Sequence, residues 1–131
     1  MSQKQIIRPA SAPTPVGPYS HAVRAGNLLF CSGQIPLDPA TGQLVSGGIR
    51  EQTRRVLENI RLLLADQGLD FQHVLKSTVF MTNLADFAAM NEVYAEFFAH
   101  APPARSTVQV AALPRGAQVE IEIIAQYPDQ A

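Results

Sequence analysis

Apolar positions along this chain change their spacing several times, and each change marks an element. Ile49, Thr53, Val56, Leu57, Ile60, Leu63 and Leu64 fall on one stripe at helical spacing, while Arg50, Glu51, Arg54, Arg55, Glu58 and Arg61 take the other side. Gly68 supplies the stop. Val74 to Met81, VLKSTVFM, is rich in β-formers and predicts a strand. Asn83, with Asp86 three residues on, offers a cap and an acidic first turn for a second helix. Its stripe of Phe87, Met90, Tyr94, Phe97 and Phe98 reads as core, and Pro102-Pro103 ends it.

Ahead of the first helix, a short strand around Ile6 and Ile7 leads into a connector whose Pro9, Pro13, Pro15 and Pro18 fix too many φ angles for a sheet or helix. Tyr19 to Arg24 and Leu28 to Ser32 flank Gly26-Asn27, the signal of a tight antiparallel hairpin. Gly33 to Gly48 is dense in Gly and Pro and predicts an irregular surface loop. Pro103 to Ala125 reads as a second hairpin. Alternation puts Ser106, Val108 and Val110 on one face and Arg105, Thr107 and Gln109 on the other. In the return strand Val119, Ile121 and Ile123 form a buried row, leaving Glu120 and Glu122 beside the arginine side. A simple antiparallel register then opposes Glu120 to Gln109, four residues or about 13 Å of strand from Arg105.

The resulting β-β-α-β-α-β-β order predicts a single α+β domain over residues 1–131, with two helices on one face of a mixed sheet. Two helices cover only that face, yet the strands carry large apolar residues at successive positions. The opposite face is therefore partly apolar as well, and burying it calls for self-association in a ring or dimer. Arg105, Thr107, Gln109 and Glu120 are then expected near a subunit boundary.

Composition narrows the chemistry. At 131 residues and 47% hydrophobic content the chain suits one domain with a sizeable core, and a formal charge of −1 gives no general pull toward nucleic acid or an anionic membrane. No signal-peptide or membrane-spanning pattern is evident, and a single cysteine, Cys31, makes no internal disulfide, so a cytoplasmic setting is expected. Cys31 follows an apolar strand and reads as a small buried residue. His21, His73 and His100 lack metal-ligand spacing, so no metal is expected. The helix arginines, spaced i,i+4 from Glu51 and Glu58, read as a salt-laced solvent face. A planar guanidinium such as Arg105 grips a carboxylate in a two-point fork, but an Arg beside a Glu on a strand face is equally the solvated side of a sheet. Pattern alone leaves Arg105 and Glu120 open.

Four segments carry a resemblance: GPYSHAVRAGNLLFCSGQIPLDPATG, EQTRRVLENIRLLL, KSTVFMTNLADFAAMNEVYAEFF and PPARSTVQVAALPRGAQVEIEIIA. Together, and in order over nearly the whole chain, they resemble the reactive intermediate deaminase family, RidA or YjgF. The resemblance implies a chorismate-mutase-like α+β protomer, a homotrimer with clefts between subunits, no cofactor, and hydrolysis of 2-imino acids or their enamine tautomers to 2-keto acids and ammonia. The implied substrates are 2-aminoacrylate, 2-iminopropanoate and 2-iminobutanoate, released by pyridoxal-phosphate enzymes that this activity protects. Residue by residue, Arg105 matches the arginine holding the substrate carboxylate, Glu120 the acid on the attacking water and Tyr19 the tyrosine closing the pocket. Ser32 and Gly33 match the loop meeting the imine end, and Phe87 and Asn91 the neighbouring wall. Thr107 stands where many relatives have cysteine, so a thiol is not required there. Two further classes stay open: a keto-acid-binding or chaperone-like trimer, and, lower, RNA cleavage or translation inhibition.

Overall fold

The structure, a computed structural model, describes residues 3–12, 15 and 17–129. Strand β1 (Gln5–Ile7), β2 (Ala22–Ala25) and β3 (Leu28–Gln34) lead into helix α1 (Ile49–Asp66). Strand β4 (Val74–Met81), helix α2 (Phe87–Phe97), β5 (Ala104–Gln109) and β6 (Val119–Gln126) complete the chain. The order is the expected one with the short first strand in front, and Pro13 of the connector lies outside the described residues.

Local signals act at the positions that carry them. Gly26 takes φ 61 between β2 and β3, at the position where a two-residue hairpin wants a left-handed glycine. At the start of α1 the Glu51 carboxylate accepts the Gly48 N–H at 3.0 Å, satisfying a donor the helix leaves unpaired. The Asn83 side chain accepts from the Ala85 N–H at 2.9 Å, but it caps a single 3₁₀ turn, Leu84–Asp86, and α2 begins only at Phe87. Phe87 is 38% exposed and stands outside the core, in contrast to Met90, Val93 and Tyr94.

All six strands form one sheet in the order β1-β2-β3-β6-β4-β5. This overturns the second hairpin. β5 is an edge strand parallel to β4, while β6 lies between β3 and β4, antiparallel to both. A parallel neighbour needs a crossover, and α2 provides it. Residues 110–118 then carry the chain past the end of β4, anchored where the Val110 N–H donates to Met81 O at 2.8 Å and the Thr82 N–H to Gln118 O at 3.2 Å. A hairpin reading sees only neighbours in sequence and misses a strand inserted from earlier in the chain.

The helices cover one face. Val56, Leu57, Ile60 and Leu64 of α1 pack with Val119, Ile121 and Ile123 of β6 and Val79 and Met81 of β4. Gln52, also buried, accepts the Gln118 N–H at 2.8 Å and so ties α1 to the entry of β6. The helix arginines pair across to α2 rather than with Glu51: Arg50 with Glu92 at 2.5 Å and Arg54 with Glu96 at 2.7 Å, while Glu58 pairs with Arg61 at i,i+3. These pairs are exposed and add little stability. On the uncovered face Phe30 is 41% and Val108 42% exposed.

Leu57 is fully buried at the helix–sheet seam. Leu57→Ala is expected to lower unfolding free energy by about 2–5 kcal/mol, read as a shifted midpoint in guanidinium unfolding with unchanged slope.

Candidate functional site

The eight candidate residues separate into two groups. Tyr19, Ser32, Gly33 and Glu120 line one cavity of about 600 Å³, whose far wall is formed by Ile35, Leu37, Asp38, Leu62, Leu63 and Arg115. Arg105, Thr107, Phe87 and Asn91 lie outside that lining.

Register explains the separation. Arg105 is paired with Ser77, and Ser77 with Ile123, so all three side chains project to the helix-covered face. Glu120 is paired with Phe80, and Phe80 with Val108, on the opposite face. Arg105 and Glu120 therefore do not share a sheet face, and the expected pairing of Glu120 with Gln109 does not occur. Two strand spacings, about 10 Å, and three residues, again about 10 Å, lie between their backbones. Gln109 serves the fold instead, for its Oε1 accepts the Leu84 N–H at 2.8 Å.

The Glu120 group is built by a break in the β3–β6 ladder, where register shifts between Cys31 and Gln34. The irregularity brings the Gly33 backbone against Glu120, with Ser32 beside it in the cavity lining. A Cβ built on Gly33 would collide with the Glu120 carboxylate, so only glycine allows this approach. Burial, then the neighbouring negative charge of Glu122, holds the Glu120 carboxyl above its ordinary range. Ser32 is fixed by three bonds: its N–H donates to His21 O at 2.9 Å, its hydroxyl donates to Ser20 O at 2.5 Å, and its carbonyl accepts from Gln34 Nε2 at 3.1 Å. Tyr19, 52% exposed, stands at the mouth, edge-on to His21 with ring centroids 6.2 Å apart. Arg115, in the left-handed region at φ 59, donates to Gly42 O at 2.8 Å and ties the turn before β6 to the loop after β3. Neither this loop wall nor Arg115 was singled out from sequence, since loop residues far apart in the chain leave no periodic signal.

The Arg105 group is built by α2 and β5. The guanidinium carbon lies 4.7 Å from the Tyr94 ring centroid and 5.5 Å from that of Phe87. Helical spacing places Asn91 between these rings on the same side of α2, and Thr107 follows Arg105 on the same strand face. Tyr94, read from sequence only as core, is thus part of this group. Its signal was a phenol, which needs a polar partner when buried, seven residues beyond Phe87. Cys31 is buried, and burial pushes its thiol up to about 12, which removes it as a nucleophile. Among the described residues no cluster of metal-ligating side chains occurs.

The sheet with both helices on one side is a chorismate-mutase-like α+β layer. A sequence profile described as Endoribonuclease L-PSP matches residues 9–127. The chain is 55% identical to Protein DfrA of Myxococcus xanthus, over 93% of this chain and 95% of that protein. It is 48% identical to the 2-iminobutanoate/2-iminopropanoate deaminase of Capra hircus, over 93% and 89% of the two chains. Among solved structures, E. coli TdcF with bound serine superposes with a TM-score of 0.88 at 42% identity, covering 95% of this chain and 99% of that one. The chain belongs to the RidA/YjgF family.

Gly33→Ala is expected to displace Glu120 and cut activity by about tenfold or more while changing thermal stability little, checked by turnover and a melting curve on one preparation.

Proposed function

We propose that this protein hydrolyses small 2-imino acids and their enamine tautomers, 2-aminoacrylate, 2-iminopropanoate and 2-iminobutanoate, to 2-keto acids and ammonia. We further propose that it works as a cytoplasmic homotrimer whose sites lie between subunits, sparing pyridoxal-phosphate enzymes from reactive intermediates. The observation that carries the reading is the splitting of the candidate residues: a carboxylate-gripping arginine on one sheet face and a water-activating carboxylate on the other, neither sufficient alone. In this reading the uncovered face of one protomer packs against the edge of the next, an arrangement that would unite the two halves and cover Phe30 and Val108, which are exposed in the single chain. The name of the goat relative and the serine bound to TdcF, an amino acid with a carboxylate, support the substrate class.

In this reading Arg105 of one subunit fixes the substrate carboxylate and so sets the approach of water to C2. The second lone pair of the Ser32 carbonyl favours the protonated, more electrophilic iminium. Glu120 accepts a proton from water as its oxygen bonds to C2. Glu120 then returns that proton to the amine nitrogen, the C–N bond breaks with ammonia leaving on its own electron pair, and the hydroxyl gives up its proton to solvent as the carbonyl forms, which leaves Glu120 deprotonated for the next turnover. No covalent enzyme intermediate is needed. Because such imines already hydrolyse in water, the required barrier reduction falls at the low end of the roughly 8–23 kcal/mol typical of enzymes.

A second reading, a module that binds keto or amino acids without turnover, is favoured by the serine in TdcF. The two readings separate when an amino acid oxidase generates the imine and semicarbazide traps what remains. Hydrolysis accelerated by the protein and reduced at least about tenfold in Arg105→Ala supports the deaminase, whereas binding with no acceleration supports the module.

Shared sites make a sharper prediction. Arg105→Ala and Glu120→Gln are each expected to be nearly inactive, yet chains unfolded and refolded together regain about a quarter of wild-type activity. That is the fraction of sites with both intact residues under random assembly. A mixture as inactive as its components places the whole site within one chain.

The raised Glu120 carboxyl sets the pH dependence. A base works deprotonated, so the rate is expected to fall as pH drops, with a midpoint above the ordinary glutamate value of about 4.3. That limb should vanish from the residual activity of Glu120→Gln.

A further inference from the structure

The Arg105 group contains two residues with no assigned part, Ser77 and Tyr94. Ser77 is fully buried on β4 at the register position directly beside Arg105. Its hydroxyl shares a hydrogen bond of 2.6 Å with the Tyr94 hydroxyl. The Tyr94 ring, 6% exposed, in turn lies under the Arg105 guanidinium and is stacked on Phe98 at 4.5 Å. The three residues close a circuit: strand pairing sets Arg105 beside Ser77, Ser77 pins the phenol, and the phenol ring supports the guanidinium.

A serine in this row has a cost. Its register neighbours on the helix side, Val79 and Met81, are apolar, and a buried hydroxyl is tolerated only with a partner. Tyr94 supplies that partner, and burial holds its phenol above the ordinary range, so it keeps its proton at neutral pH. The Arg105 side chain has four rotatable bonds, and a free arginine would lose that freedom each time it captured an anion. A ring face under the guanidinium attracts it through the quadrupole, and although the guanidinium also acts as a donor toward the Tyr94 hydroxyl, its five N–H groups leave donors for a planar anion. Phe87, 5.5 Å away, borders the same guanidinium but is exposed and has no second anchor.

We infer that Tyr94, pinned by Ser77, is a positioning residue that holds the Arg105 guanidinium ready for the substrate carboxylate. The pair acts through Arg105 and touches no reacting atom. This rests on the reading of Arg105 as the carboxylate-binding group. Loss of the platform therefore weakens binding of any small 2-keto or 2-imino acid and leaves the chemical step intact.

The test measures binding of 2-oxobutanoate by calorimetry, together with kcat and KM for the oxidase-generated imine, on wild type, Arg105→Ala, Tyr94→Leu, Tyr94→Phe and Ser77→Ala. Tyr94→Leu is expected to weaken 2-oxobutanoate binding and raise KM by about five- to tenfold with kcat within about twofold of wild type. Tyr94→Phe, which keeps the ring and loses the bond, recovers most of the affinity. The Ser77→Ala/Tyr94→Phe double variant is no worse than Tyr94→Phe alone, because both changes remove the Ser77–Tyr94 bond, while Tyr94→Phe also loses the hydroxyl that faces Arg105. Should Tyr94→Leu fail to fold, the Ser77→Ala and Tyr94→Phe pair decides: a KM raised about twofold in each, with no further rise in the double variant, supports the inference, and a wild-type KM in both overturns it. Wild-type binding in a folded Tyr94→Leu, beside lost binding in Arg105→Ala, overturns the platform alone. Unchanged binding in Arg105→Ala removes the reading on which it rests.

Discussion

Strand β4 is the member on which the rest of the molecule depends, because its pairings on both sides decide which sheet face Arg105, Thr107 and Glu120 occupy. Ser77, Val79 and Met81 turn toward the helices, and Lys76, Thr78 and Phe80 turn away. A slip of one residue against β5 would send Arg105 to the uncovered face and away from its rings, and a slip against β6 would drive Glu120 and Glu122 under α1. Neither is tolerable, since the first strands a guanidinium and the second buries two carboxylates. Hydrophobic burial thus enforces the register, and the register partitions the polar groups.

Partitioning also protects the chemistry. A guanidinium and a carboxylate side by side on one strand face would pair with each other, and an incoming carboxylate would then have to compete with an internal partner held at high effective concentration. On opposite faces neither charge satisfies the other. Glu120 is left with burial and the repulsion of Glu122, which hold its carboxyl above the ordinary range, and Arg105 is left with aromatic faces and a neutral phenol, which attract a cation without cancelling its charge. Each half is incomplete in a way that suits the reaction proposed.

Much of the local structure was legible in the residues. The stripe from Ile49 to Leu64 is buried as expected, and β4 spans Val74 to Met81, since helical period and β-rich runs are properties of neighbours in the chain. Pairing between distant strands is not such a property. The segment from Pro103 to Ala125 looks like a hairpin because both arms alternate, yet β4 stands between them, and the inserted strand moved Glu120 to the face opposite Arg105. The motif carried the identities of the candidate residues, and only the sheet shows that they form two groups. Tyr94 was the clearest omission, for a stripe of large residues at helical spacing looks like core whether or not one hydroxyl has a second role.

The burial of Cys31 has a further bearing on durability. Its thiol stays protonated far above cellular pH and lies buried in the core between helices and sheet, while Thr107 in the Arg105 group carries a hydroxyl. Peroxides and electrophilic poisons attack thiolates. Neither half of the candidate site offers them one, so a burst of oxidant finds no thiol to convert to sulfenic acid there.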